Sequence, residues 1–222
     1  YVGELLEEDG VQNIIDETGE DGFYLLNAGA APFDDIRARQ ALTYTFPLQA
    51  YRDLLSAGVA RPADQMFIPE SRYYDPSIVQ EGDRPDLAAE LASEYCAERG
   101  DEENPLLGTS TCTDGKINIE YQFAGPSAQA TRTAEFLDQS LSTAFNLTFD
   151  EVAQDDTIQE AALGQYNLVG WRQFGDADPA LERLWLLCRN VGPISLNWPR
   201  YCDTERDALL LEAGALEPDD PA

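Results

Sequence analysis

Histidine is absent from this sequence. With it go the commonest general base, the commonest metal ligand and every Ser–His or Cys–His nucleophile pair. Basic residues are scarce: 14 Lys and Arg stand against 42 Asp and Glu, a net charge of −28. A field of that sign repels phosphate backbones and argues against a nucleic-acid partner. It favours solubility and suits a saline setting. Long apolar runs are missing too, none approaching the roughly 18–20 residues needed to cross a bilayer. Tyr1 opens without Met or a basic leader, so the chain is expected to be a piece of a longer protein. Cysteines number four and none sits in a CxxC pair. Without His, a zinc site would need all four from distant segments.

What is present is a globular composition: 222 residues, 43% hydrophobic, with 3 Trp, 10 Tyr and 9 Phe. That length holds one sizeable core or two small ones. The cysteines fall into two local pairs, Cys96 with Cys112 and Cys188 with Cys202. Disulfides closing loops of about 15 residues contribute about 3 kcal/mol each and imply an oxidising compartment. Four buried free thiols are the alternative.

Residues 1–22 read as an acidic connector and 214–222 as an acidic tail, with one folded unit between them. Phe23–Leu26 is a short apolar strand. Asp34 or Asp35 caps a helix running to Phe46, with Asp35 and Arg39 spaced for an i,i+4 pair. Pro47 opens another helix through Leu55. Residues 58–85, punctuated by Pro62, Pro69, Pro76 and Pro85, form a long loop, and Leu87–Arg99 a further helix. Lys116–Phe123 alternates strictly. It is followed by a helix over 128–146, a strand over 147–152, a helix over 157–164 and a strand over 166–171. That βαβαβ order predicts an α/β fold with parallel neighbours. Asp178 caps a helix from Pro179 through Leu187, and a last helix covers 204–213.

One segment is denser than capping requires: Asn27-Ala-Gly-Ala-Ala-Pro32-Phe33-Asp34-Asp35-Ile36-Arg37-Ala38-Arg39-Gln40-Ala41-Leu42-Thr43-Tyr44. It closely resembles a signature of the family 5 solute-binding proteins, the peptide, oligopeptide and nickel-type receptors of ABC importers. Tyr166-Asn-Leu-Val-Gly170-Trp171 with Asp178-Pro179, and Asn197, Tyr201, Asp203 and Asp207-Ala-Leu-Leu, resemble later stretches of the same family. The Cys188–Cys202 pair is similar to a disulfide of its dipeptide-binding members. There are departures. Phe46-Pro47-Leu48 stands where Ile-Asp-Arg is common, and Phe174 stands where peptide-binding members carry an Asp, three residues after the Trp, that meets the ligand's amine.

The resemblance implies a periplasmic-binding-protein-like lobe, a mixed and mostly parallel sheet flanked by helices. This would be mainly the second of two lobes that close on a solute. It implies a monomeric, extracytoplasmic receptor, periplasmic or lipid-anchored. Its partners would be a peptide or small solute and the permease subunits of an importer, with no cofactor, no metal and no enzymatic activity. Strand ends present ligand groups in such folds, so Trp171 either floors the pocket or belongs to the core. Arg172 suits a carboxylate or carbonyl and Asp176 an amine. Asn27 meets ligand or holds a turn, and Tyr73 and Tyr74 stack on solute from the long loop. Two rivals from other classes are weaker. A carboxylate-based glycosidase lacks any motif that singles out a pair among 42 acids. A calcium-stabilised module would use Gly100-Asp-Glu-Glu-Asn104, which lacks the spacing of a calcium loop.

Overall fold

The structure, a computed structural model, describes residues 8–10, 12, 20–56, 61, 63, 65–174 and 182–215. Strand β1 (Glu20–Leu26) starts within the stretch read as connector. A turn at Asn27 leads to helix α1 (Ile36–Thr45), where the Asp35 carboxylate caps the free amide of Arg37 at 2.8 Å. Asp35 does not take Arg39 as its partner. The Arg37 guanidinium, brought close by the same cap, closes on it and holds its carboxyl below the usual range. Arg39 turns instead to the Phe33 carbonyl at 2.6 Å and lies over the Tyr201 ring. Helix α2 (Leu48–Ser56) follows Pro47. The end of the long loop returns to the α1–α2 junction, where Arg84 N–H donates to the Tyr44 carbonyl at 2.7 Å.

Helix α3 (Pro85–Arg99) opens on proline, whose missing N–H the first turn does not need. It lays Ala88, Ala92 and Tyr95 against Ala38, Ala41 and Leu42 of α1, small residues that let the two helices approach closely. Arg99 fastens the same pair by gripping Asp34 through two 2.9 Å bonds. The short strands β2 (Glu103–Asn104) and β3 (Thr109–Ser110) form a hairpin, and β4 (Cys112–Thr113) leads into β5 (Lys116–Ala124). Ile117, Ile119, Tyr121 and Phe123 share one buried face of β5, as alternation requires.

Helix α4 (Ala128–Leu141), capped by Ser127, buries Thr133, Ala134, Leu137 and Leu141 on that same face. It ends earlier than its apolar spacing predicts. Phe145, which continues the helical pattern, opens strand β6 (Phe145–Val152) and pairs with Ile117. Helix α5 (Gln154–Leu163) ends at Gly164 with φ 72°, the left-handed conformation that glycine adopts without strain. Strand β7 (Leu168–Phe174) completes the sheet in the order β1-β7-β5-β6. β5 runs parallel to β6 and β7, β1 is antiparallel to β7, and β4 is antiparallel to the start of β5. The predicted α/β architecture, a mostly parallel sheet with helices, is what forms.

Beyond β7 the described helix is one turn, α6 (Arg183–Leu186); the predicted cap Asp178 and start Pro179 lie outside the described residues. Side chains take the carbonyls with which α6 ends: Asn190 takes that of Leu184, and Asn197 and Arg206 take that of Leu186. Helix α7 (Thr204–Ala213) is capped by Asp203. Both disulfides form, with Cα atoms 5.7 Å apart for Cys96–Cys112 and 4.6 Å for Cys188–Cys202. Helices α1, α3 and α4 cover one face of the sheet; on the other, Leu25 and Val169 pack with Ala161, Tyr166, Trp171 and Trp198.

Candidate functional site

Trp171 is not at a strand end, as its Gly-Trp context predicts. β7 continues through it to Phe174, because β1 supplies backbone partners all the way from Leu26↔Leu168 to Glu20↔Phe174. Pairing with β5 is confined to Tyr121↔Leu168 and Gln122↔Val169. From Gly170 onward β7 and β1 therefore run as a two-stranded ribbon past the point where β5 pairs, and Trp171 sits on it.

The Trp171 ring is half-buried, edge-on to Trp198 at 4.5 Å between centroids, and Trp198 meets Trp185 at 5.0 Å. All three tryptophans of the chain thus form one cluster. The segment 195–200 that carries Trp198 is pinned along its length. Ser195 N–H donates to the Ala162 carbonyl at 2.9 Å, the buried Tyr166 hydroxyl donates to the Trp198 carbonyl at 2.7 Å, and Ala28 N–H donates to that of Pro199 at 2.8 Å. Asn197 turns its amide inward to the carbonyls of Leu186 and Tyr201. Arg200, itself left-handed at φ 54°, reaches the carbonyls of Gly192 and Ala162. The Cys188–Cys202 bridge closes this segment at its base.

Arg172 is the next residue along the ribbon, exposed and opposite Gly22; Asp176 lies outside the described residues. Asn27 is at the other end of β7 and 4% exposed. Its amide donates to the carbonyls of Gly164 at 2.9 Å and Tyr166 at 3.1 Å, and its oxygen accepts from Gly29 N–H. Of the two roles open to Asn27, these contacts serve the turn. Asn27→Ala strands the buried Tyr166 carbonyl and the part-buried Gly164 carbonyl, and we expect it to destabilise the fold by about 1–3 kcal/mol. Chemical denaturation checks this, with solute selectivity unchanged beside it. A recess of about 140 Å³ opens between Asn27, Ala30, Pro105, Leu106 and the Gly164–Asn167 turn, at that far end of β7.

Tyr73 lies against Phe67 at 5.5 Å with the Arg72 guanidinium over its ring, and Tyr74 donates its N–H to the Ser71 carbonyl. These partners all belong to the long loop between α2 and α3. The structure therefore unites Trp171 and Arg172 on one ribbon and keeps Asn27 apart from them.

On the tryptophan side of the sheet, burial followed by the charges of Asp150 and Glu160 pushes the Glu120 carboxyl above its usual range, and Gln122 donates to Glu160. Among the described residues no three His, Cys, Asp or Glu side chains converge as a metal set. In the Gly100–Asn104 stretch Glu102 pairs with Arg99, and Asn104 is wholly buried with its amide on Asn118 and Asn167. No described helix is long and apolar enough to cross a membrane.

The sequence profile of the bacterial extracellular solute-binding proteins, family 5 middle, matches residues 2–193. Di/tripeptide-binding protein 2 of Pseudomonas aeruginosa is 23% identical over 195 residues, which are 85% of this chain and 33% of that protein. The dipeptide-binding protein of Pseudoalteromonas sp. SM9913, solved with Met-Leu, superposes on 98% of this chain with TM-score 0.75 and 21% identity, and 41% of its own length is covered. NikZ of Campylobacter jejuni, solved with Ni(L-His), superposes on 98% of this chain with TM-score 0.74 and 15% identity, and 43% of its length is covered. The chain thus spans between a third and a half of the length of these relatives.

Proposed function

This chain belongs to the bacterial extracellular solute-binding proteins of family 5, and on that premise we propose that it forms most of the second lobe of a receptor that captures a solute and passes it to the permease of an ABC importer. Residues 23–213, with the start of β1 from Glu20, are that lobe, the residues before it the connector from the first lobe and 214–222 an acidic tail. The receptor works outside the cytoplasm, as a monomer, and binds without turning over its ligand. One observation carries the reading: the family's Gly-Trp stretch lies on a ribbon that leaves the sheet and carries a tryptophan cluster. A ribbon so placed offers side chains to a second body, and aromatic walls with a few polar groups are what small-solute sites use.

Trp171 supplies the wall, Arg172 answers a carboxylate or carbonyl of the solute, and Asp176 follows five residues after Trp171 in the sequence. Phe174 in place of the amine-binding Asp means that the solute has no free amine at this point. The test is calorimetric titration of the full-length receptor with Met-Leu, N-acetyl-Met-Leu and the nickel–histidine complex. The N-acetyl form should bind, and Trp171→Ala should weaken it at least tenfold, the loss expected of a desolvated aromatic anchor. Absence of binding across all three probes defeats the receptor reading; preference for the free amine defeats only the blocked-solute reading.

A further inference from the structure

Phe23 lies directly across from Trp171 on the ribbon. Residues opposed in an antiparallel pair share a face, with Cβ atoms about 4.5–5.5 Å apart. Phe23 and Trp171 therefore stand side by side on the face where Trp198 and Trp185 lie. Going outward, Trp185 backs Trp198 at 5.0 Å, Trp198 backs Trp171 at 4.5 Å, and Phe23 ends the row with 37% of its surface exposed.

A lone exposed aromatic needs no explanation on a protein surface. Phe23 differs in being continuous with a braced stack. Trp198 cannot shift freely, since its carbonyl holds the Tyr166 hydroxyl and its neighbours are tied to α5 and to the β1–α1 turn. A rigid aromatic floor that ends in an exposed ring is suited to gripping a flat or apolar group, because little side-chain freedom is lost on contact.

We infer that Phe23 is a specificity-determining residue of the solute site, and that with Trp171 it selects solutes presenting a planar or apolar group to the ribbon. This rests on the receptor reading. No sequence motif marks Phe23; its role follows from the register alone.

The test uses the full-length receptor and two N-acetylated probes that differ only in one side chain, N-acetyl-Phe-Leu and N-acetyl-Gly-Leu. Sharing a blocked terminus, they report the side-chain preference by itself. We expect the Phe probe to bind at least tenfold tighter, and Phe23→Ala to shrink that ratio about tenfold, the loss of one good aromatic contact. Phe23→Leu keeps an apolar surface at the site and should retain most of the ratio, which separates selectivity from folding; circular dichroism confirms that both variants are folded. An unchanged ratio in folded Phe23→Ala, with Trp171→Ala still weakening binding at least tenfold, overturns the assignment and leaves the receptor intact. Failure of the wild type to bind either probe overturns the assignment; the receptor reading falls with it only if Met-Leu and the nickel–histidine complex also fail to bind.

Discussion

Reducing the two disulfides should remove about 6 kcal/mol of stability, enough to unfold much of the protein under conditions where the oxidised form is fully native. Each bridge closes a short loop, with sequence separations of 16 and 14, for which the chain-entropy estimate is about 3 kcal/mol. A domain has only about 5–15 kcal/mol in total. The two bridges act on different parts of the fold. Cys96–Cys112 joins the end of α3 to the entry of β5 and steadies the turn in which Asn104 bonds to Asn118 and Asn167. Cys188–Cys202 closes the segment that presses Trp198 on Trp171. Cys202 is exposed, so this second bridge should open first as reductant is raised. Its opening, or the pair Cys188→Ala with Cys202→Ala, should change tryptophan emission before helix content falls. The Cys96→Ala with Cys112→Ala pair should lower the denaturation midpoint while native emission persists. A cost under about 1 kcal/mol for either pair would contradict the argument.

Local pattern made much of this fold legible. The alternation of Ile117, Ile119, Tyr121 and Phe123 identified the central strand because both its neighbours bury the same face. The cap Asp35, one of the two candidates with Asp34, stands where a short polar side chain before an apolar run places a helix start. The signature from Asn27 to Tyr44 and the Gly-Trp stretch pointed to the family, since such a string exceeds what capping needs. What escaped was set by distant partners. Phe145 fits the α4 period but becomes a strand residue, because a parallel register with Ile117 buries it more completely. β7 outruns Trp171 only because β1, well over a hundred residues earlier, pairs with it to the end. Trp198 joins the tryptophan cluster across a disulfide-closed segment, and nothing around it in the chain shows what it touches. Its one signal was that tryptophan is scarce here, with 3 in 222 residues. Asn27 looked equally fit for a ligand or a turn, and its hold on the turn runs through two carbonyls, at Gly164 and Tyr166, that local sequence could not bring near.

Stability should collapse on the alkaline side, by about 4 kcal/mol for each pH unit above 10. Burial, reinforced by the neighbouring Tyr121 and Tyr51, pushes the Tyr24 phenol far above the ordinary tyrosine value, and burial does the same for Tyr121 and Tyr166. The unfolded chain releases these protons near pH 10, whereas the fold retains them. Three tyrosines held protonated therefore contribute fully below pH 10, and the contribution is lost as pH rises beyond it, at about 1.4 kcal/mol per unit for each ring. Tyr95 shifts the same way, again through burial. The composition leaves few competing groups. There is no His, Lys116 is the single lysine, and no described cysteine is free. Every tyrosinate formed also deepens a net charge already at −28, which favours expansion of the chain. In ultraviolet absorbance at 295 nm the three buried rings should accordingly ionise together, in the same narrow interval in which circular dichroism is lost. Tyr24→Phe removes one of the three and should reduce the slope of stability against pH by about a third, while giving up the 3.1 Å bond to the Tyr51 hydroxyl. Smooth ionisation of all tyrosines around pH 10 with the secondary structure intact would mean that the Tyr24–Tyr121 cluster admits water, and that the aromatic core is looser than its packing implies.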